Sequence, residues 1–298
     1  MNLLKKRETI VQSIALMAIM AAINVVVSLI AGFSVIASTF LIIILPLTSA
    51  IVEISCKEKY FPIYALATIG LSIVTTLWNI DITLFYVVPS IITGFIFGFI
   101  TRRSIHYTWG IIIAALVQTI ISLAFIPLLN FIFQIDFIGN LLRIFKITNQ
   151  QIGNILIIVA LFLIALIQVV LSAAVVSNEI KKFQNKENQD HIDYKLFNGV
   201  GAIVGLLTIP FAFLALPVAY LVALISFYFG VLSVVQTITE KKLPIIVFSG
   251  AISIITIFLV AIFYSKLPQY SGLLLFTIAP TCICIISFCF YFLKKKKN

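Results

Sequence analysis

Charged residues are scarce in this chain. Of its 298 residues only 10 are Asp or Glu and only two are His, and charged residues make up 10% of the sequence, whereas 62% are hydrophobic. A typical water-soluble domain is about one quarter charged. These proportions exclude a soluble globular fold of this size.

The motifs of common enzymes are missing as well. The sequence has no GxxxxGK[ST] phosphate-binding loop, no HExxH and no GxSxG, so it is not expected to bind ATP as a P-loop protein does. Its cysteines, Cys56, Cys282, Cys284 and Cys289, have neither paired CxxC spacing nor nearby histidines, and we interpret them as thiols in helix packing. We therefore expect no enzyme activity, no metal and no cofactor.

Long apolar runs fill most of the chain. They lie at 11–31, 35–55, 60–78, 83–101, 108–133, 152–177, 198–214, 217–236, 245–264 and 271–293. Most approach the ~20 residues that a helix needs to cross a bilayer. The sequence thus predicts an all-α, polytopic integral membrane bundle of ten transmembrane helices, spans 1–10. Pro210 and Pro217 divide 198–236 into a tight hairpin, because one helix of that length would be nearly twice as long as a bilayer is thick.

The basic residues fall in alternate gaps between the spans. All but Arg143, Lys146 and Lys266 lie on the side of the amino terminus, namely Lys5, Lys6, Arg7, Lys57, Lys59, Arg102, Arg103, Lys181, Lys182, Lys186, Lys195, Lys241, Lys242, Lys294, Lys295, Lys296 and Lys297. Cytoplasmic loops retain Lys and Arg, so both termini are predicted to be cytoplasmic, in a cell membrane of bacterial type. We attribute the net charge of +10 to this topology and to attraction by anionic lipids, not to nucleic acid.

One long polar stretch, 178–195, divides the chain. We predict a six-helix membrane domain in residues 1–180, a cytoplasmic polar linker in residues 181–195 and a four-helix bundle in residues 196–298. On the opposite side of the membrane, the longest loop, 134–151, has apolar residues at helical spacing. It is predicted to lie flat on the surface or to cap a cavity.

Span 1 has two distinct faces at 100° per residue. Ala15, Ala18 and Ala22 form a strip of small residues, which would let another helix approach closely in lipid. The opposite face carries polar and adaptable side chains suited to a cavity wall: Ser13, Met17, Met20, Asn24 and Ser28.

Span 3 gathers polar side chains on one quarter of its circumference. They are Tyr64, Thr68, Ser72, Thr75 and Asn79. With Trp78 and Asp81 at its outer end, this face is predicted to hold a small polar ligand that enters from outside. Alternatively, the hydroxyls satisfy backbone carbonyls and Trp78 belongs to the interfacial aromatic belt.

Three other features concern helix packing or ion pairing. Gln118 and Ser122 of span 5, with Gln168 and Ser172 of span 6, either complete the ligand pocket or cross-link the bundle. Span 4 has small residues at four-residue spacing, interpreted as a close-packing seam: Ser90, Gly94 and Gly98. Glu53 is the acid nearest the membrane interior. Because Lys57 follows it by one turn, we interpret these two residues as an ion pair at the cytoplasmic surface.

Two segments carry a resemblance to a known family. They are KRETIVQSIALMAIMAAI, residues 6–23, which contains the alanine strip, and DITLFYVVPSIITGFIFGFITRR, residues 81–103. With them, the first six spans resemble the substrate-binding S components of energy-coupling-factor (ECF) vitamin transporters. The resemblance implies that Ala15, Ala18 and Ala22 dock on a T subunit, that a pair of ATPases energises uptake, and that a vitamin-like molecule is enclosed near the outer surface.

The four spans after residue 195 depart from that family, whose members have six. Over its whole length the chain is also similar to the YybS-like membrane proteins, whose function is unknown. We therefore predict a non-enzymatic membrane protein that binds a small, vitamin-like or amphipathic ligand. The candidate ligand-binding residues are Asn24, Thr68, Ser72, Thr75, Asn79, Asp81, Gln118 and Ser122.

Two alternatives remain open. A membrane scaffold or assembly factor is favoured if the polar faces of spans 1, 3 and 5 meet in a filled core and not in an open cavity. A proton- or sodium-coupled carrier is disfavoured, because the spans offer no buried acid and no inverted repeat.

Overall fold

A computed structural model describes residues 7, 9–33, 35–134, 136–147, 149–183, 193–240, 243–263 and 271–295. All the regular secondary structure in these residues is helical. The helices form two compact units. Unit 1 comprises residues 1–141 and 160–191, and unit 2 comprises residues 142–159 and 192–298.

The first eight helices correspond to the predicted spans 1–6 and to the loop after span 5. They are α1 (Ile10–Phe33), α2 (Val35–Ser55), α3 (Phe61–Thr75), α4 (Ile80–Ile82), α5 (Val88–Arg103), α6 (Tyr107–Phe133), α7 (Phe137–Ile144) and α8 (Gln150–Phe183). In unit 1, α1 packs on α2 and α3, and α2 packs on α5. The predicted loop helix is confirmed as α7. It begins where Asp136 Oδ1 accepts a hydrogen bond of 2.9 Å from the backbone N–H of Gly139.

Glycine permits the close contact between α2 and α5. A Cβ atom on Gly98 would lie 2.6 Å from Cβ of Glu53, and one on Gly94 would overlap the carbonyl oxygen of Pro46. No other residue type fits at these positions without moving a helix. The predicted packing seam of span 4 is therefore confirmed.

The connection between α3 and α5 consists of short helical pieces interrupted at Thr76 and Asn79, whose φ angles are −117° and −149°. Leu77–Asn79 forms a 3₁₀ turn, α4 follows, and Thr83–Val87 is a π-helix that leads directly into α5. The hydroxyls of Thr76 and Thr83 lie 2.7 Å apart and join the two arms of this connection.

Unit 2 contains the carboxyl-terminal helices. They are α9 (Tyr194–Leu214), α10 (Leu216–Thr239), α11 (Leu243–Phe263) and α12 (Ile278–Lys295), the last preceded by a 3₁₀ segment, Ser271–Thr277. Ala215 is extended, with φ −154° and ψ 90°, and separates α9 from α10. The predicted hairpin within 198–236 is thus confirmed.

Among the described residues, seven helical segments are long and apolar enough to cross a membrane. They are Ile10–Phe33, Leu77–Arg103, Tyr107–Phe133, Gln150–Ile180, Tyr194–Leu214, Leu216–Thr239 and Ser271–Phe290, and shorter apolar helices occupy Ile44–Ser55 and Val247–Phe263. The chain is therefore an all-α, multi-pass membrane protein. Ten spans and cytoplasmic termini stay predictions, as does the linker, most of which lies outside the described residues. The predicted first domain, 1–180, differs from unit 1, because residues 142–159 group with unit 2.

The predicted topology places the turn after α5 and the turn after α9 on opposite sides of the membrane. In a variant whose four cysteines are replaced by Ala, we expect Ala215→Cys to react with a membrane-impermeant maleimide in intact cells. Ser104→Cys should react only after the cells are lysed. The reverse pattern, or labelling of both positions in intact cells, would contradict the topology.

Candidate functional site

Three helices of unit 1 are joined by hydrogen bonds through one buried amide. The Asn24 amide on α1 donates to the Tyr64 hydroxyl on α3 at 2.8 Å, and its oxygen accepts from the Thr48 hydroxyl on α2 at 2.6 Å. The Tyr64 hydroxyl also lies 3.2 Å from the hydroxyl of Ser49. All four side chains are buried. The cluster fixes how α1, α2 and α3 pack, because each partner would be left unsatisfied in an apolar interior if the helices separated.

The polar face of α1 therefore packs against protein. Its members are all buried: Ser13, Met17, Met20, Asn24 and Ser28. The sequence indicated the correct face but not what covers it, because Thr48 and Ser49 come from α2 and give no periodic signal. For Asn24 the structure shows an interhelical role, and contact with a ligand stays a prediction.

The hydroxyls of α3 divide between two roles. Thr68 donates to the carbonyl of Tyr64 at 2.8 Å, and Thr75 donates to the carbonyl of Leu71 at 3.0 Å, so for these two the backbone alternative is confirmed. Ser72 is buried, and its hydroxyl has no hydrogen-bond partner among the described residues. The hydrogen-bonding capacity of the Ser72 hydroxyl is therefore still available.

The end of unit 1 beyond α3 brings together the remaining predicted ligand residues. Asn79 and Asp81 are half-buried, and Trp78 is 59% exposed and lies beside the ring of Phe33, with 5.9 Å between centroids. The π-helix follows immediately, and such segments are frequent at functional sites. This end combines a carboxylate, an amide and an aromatic face within four residues.

Gln118 and Ser122 lie deeper in unit 1, and both are buried. The Gln118 amide donates to the side-chain oxygen of Gln168, which joins α6 to α8. Ser172 donates to the backbone of Gln168 at 2.8 Å. For Gln118 the structure therefore shows the cross-link, whereas a role in ligand binding stays a prediction.

The expected pairing of Glu53 with Lys57 is wrong. Glu53 is only 1% exposed, and its Oε1 lies 3.3 Å from Nη1 of Arg102, which also lies 3.4 Å from Oε1 of Glu58. Lys57 is exposed. The cause is the glycine contact of α5 on α2: Gly98 touches Glu53, and Arg102, one turn further along α5, therefore reaches the carboxylate. A proton- or sodium-coupled carrier was disfavoured from the sequence partly because no buried acid was found there. Glu53 is a buried acid, so that premise is wrong.

The alanine strip of α1 is on the surface. Ala15, Ala18 and Ala22 are all exposed, whereas the intervening Leu16 and Ala21 are buried. The strip is bordered by large exposed apolar side chains: Val11, Ile14, Ile19, Ile23 and Val26. The result is an exposed strip of small residues between larger apolar side chains, an arrangement that permits close approach of helices in lipid.

Unit 2 contains a cavity that the sequence did not indicate. Its volume is about 560 Å³. The residues that line it are Gln151, Thr208, Ile209, Ala212, Phe213, Leu214, Leu216, Ser271, Leu274, Leu275, Thr277 and Ile278. These residues come from α8, α9, α10, the 3₁₀ segment and α12, and no local pattern connects segments so far apart in the chain.

Unit 2 also has a buried polar layer that sequence reasoning missed. The hydroxyls of Ser233 on α10 and Ser287 on α12 are hydrogen-bonded at 2.9 Å. Asn198 on α9 is fully buried, and neither side-chain atom of its amide has a partner among the described residues. In the sequence, the only sign of this layer was Asn198 itself. An isolated Asn near the start of a span is also what a residue at the membrane surface looks like, so the layer was not predicted.

Comparisons with protein-family models, with curated proteins and with solved structures find no match. The resemblance to S components therefore rests on the residues quoted above.

Removing the partner of Glu53 should destabilise unit 1. We expect Arg102→Ala to lower the free energy of unfolding by about 3 kcal/mol, because a buried carboxylate is left uncompensated. Thermal unfolding in detergent would measure this change. Arg103→Ala is the control: it removes an equal charge at an exposed position and should lower the free energy of unfolding by less than about 1 kcal/mol. Adding Glu53→Gln to Arg102→Ala should restore part of the loss, and no restoration would show that the ion pair is not the cause.

Loss of the Tyr64 hydroxyl should weaken the packing of α1, α2 and α3. We expect Tyr64→Phe to lower the free energy of unfolding by about 1 kcal/mol, within the range measured for hydrogen bonds between membrane helices. Tyr60→Phe is the control, since Tyr60 is half-buried next to the same helix. Equal stability of the two variants in the same unfolding assay would show that the Asn24 cluster does not hold the helices together.

Proposed function

We propose that this chain is an S-component-like membrane protein. It binds a small, vitamin-like or amphipathic molecule on the side of the membrane opposite its termini, and a separate T subunit with a pair of ATPases energises uptake. The observation that carries the proposal is the exposed alanine strip of α1, supported by the polar end of unit 1 beyond α3.

The strip supports docking because it lies on the face of α1 that is not packed against α2 and α3. The polar face of the helix is packed against α2 and α3, while Ala15, Ala18 and Ala22 form an exposed line about 10 Å long. Lipid tails are as apolar as a helix surface, so association in a membrane depends on close packing, which small residues permit. The small residues of this strip therefore support docking by a helix of a T subunit.

The ligand end is assigned to Trp78, Asn79 and Asp81. The Asp81 carboxylate accepts hydrogen bonds or faces a positive group, the Asn79 amide donates and accepts, and the exposed indole of Trp78 offers an apolar surface for stacking. A ligand with a flat ring and polar substituents matches this combination. Thr68, Ser72, Thr75, Gln118 and Ser122 stay predicted ligand residues of the deeper part, with Ser72 the strongest of them because its hydroxyl has no partner among the described residues.

A second candidate is a membrane scaffold or assembly protein with no transported ligand. The hydrogen-bonded cluster of Asn24, Tyr64 and Thr48 favours it, because there the polar faces of α1 and α3 meet in packed protein. In this case the alanine strip would dock a different membrane protein. The two candidates differ in the partner and in whether a small molecule is bound.

Affinity purification from native membranes in mild detergent distinguishes them, with mass spectrometry of the co-purified proteins and small molecules. We expect a T subunit and ATPases to accompany the unaltered chain and to be lost from Ala18→Leu/Ala22→Leu, because the added bulk prevents close helix approach. Ala67→Leu is the control, since Ala67 is an exposed alanine on α3.

The ligand is tested in the same preparations. Asn79→Ala/Asp81→Ala should remove the bound small molecule and retain the protein partners. Recovery of membrane-assembly proteins alone, with no small molecule, would overturn the transporter proposal in favour of the scaffold. Retention of the T subunit by the Ala18/Ala22 variant would overturn the docking surface.

A further inference from the structure

The cavity of unit 2 lies where α9 ends and α10 begins. Along α9 its lining runs from Thr208 to Leu214, a depth of about 9 Å, or roughly a third of the hydrocarbon thickness of a bilayer. Its volume of about 560 Å³ falls in the range of small-molecule sites. It is a recess near one end of the helices and not a passage through them.

The inner wall of the cavity has no free hydroxyl proton at Thr208 or Thr277 to donate to a polar ligand. Thr208 donates to the carbonyl of Gly205 at 2.6 Å, and Thr277 donates to the carbonyl of Leu274 at 2.7 Å. The two hydroxyls also lie 3.3 Å from each other. Both are thus satisfied within the protein, and the lining contains no charged side chain among the described residues. A hydrogen-bond acceptor placed against this wall would be left unpaired, at a cost of a few kcal/mol.

The mouth is exposed and apolar. Phe213 and Leu214 are 83% and 80% exposed, and both belong to the lining. On a membrane protein, apolar side chains this exposed at the end of a spanning helix face lipid. The polar side chains left in the lining are those of Gln151, which is exposed, and Ser271, which is half-buried.

We propose that this cavity binds one hydrocarbon chain of a membrane lipid, which enters past Phe213 and Leu214. The chain contacts the apolar wall of α9 and the 3₁₀ segment, and the headgroup stays outside near Gln151 and Ser271. This site is in unit 2 and does not involve the ligand end of unit 1. The lipid proposal can therefore be true or false independently of the proposed function.

Photolabelling of the full-length protein tests the site. The purified chain is reconstituted into phosphatidylglycerol vesicles that contain a trace of phosphatidylglycerol with a diazirine on one acyl chain, and labelled peptides are mapped by mass spectrometry. We expect residues 208–216 and 271–278 to be labelled more strongly than the exposed side chains of α11, such as Ile254 and Phe258.

Filling the cavity should abolish the preference. We expect Ala212→Trp to reduce labelling of residues 208–216 and 271–278 about tenfold, the effect of losing ~1.4 kcal/mol of binding. Ala251→Trp places the same bulk on an exposed position of α11 and should leave the labelling of the two cavity segments unchanged. Ala212→Leu is a milder replacement, which should give an intermediate loss if the larger one prevents folding. Uniform labelling of all lipid-facing residues, or equal labelling of the two Trp variants, would overturn the proposal.

Discussion

The buried carboxylate at the end of α2 constrains much of unit 1. Glu53 is removed from water, and a charge in that position is tolerated only with a partner. Gly94 and Gly98 let α5 pack closely on α2, and this contact places Arg102 beside the Glu53 carboxylate. At the same end, the backbone N–H of Arg7 donates to the carbonyl of Ser55 at 2.8 Å. The start of α1, the end of α2 and the end of α5 are thus fixed at a single position.

The two units use polar groups in different ways. Unit 1 satisfies its buried amides by hydrogen bonds between helices, as at Asn24 and Gln118, and leaves a carboxylate and an amide half-exposed at one end. Unit 2 packs an apolar cavity at one end of α9 and buries the amide of Asn198 near the other. The proposed polar ligand thus belongs to unit 1 and the proposed hydrocarbon chain to unit 2.

Sequence reasoning succeeded where the determining signal is local. Apolar runs, prolines and 100° periodicity located the helices, the hairpin at Ala215 and the two faces of α1, because each depends on residues a few positions apart. It failed where partners come from distant segments. Glu53 was assigned to Lys57, four residues away, but pairs with Arg102 on another helix. Thr48 as the partner of Asn24, the grouping of residues 142–159 with unit 2 and the cavity at Thr208 are similarly consequences of packing, which periodicity does not encode.

The π-helix at Thr83–Val87 has a consequence for the geometry of the ligand end. A π turn contains one residue more than an α turn, so the side chains of α4 are rotated by about 100° relative to α5 from where an uninterrupted helix would place them. The direction of Asp81, which lies in α4 immediately before the π-helix, therefore depends on a single inserted residue. A shortening of this segment by one position would turn the Asp81 carboxylate relative to the rest of unit 1 without replacing the residue.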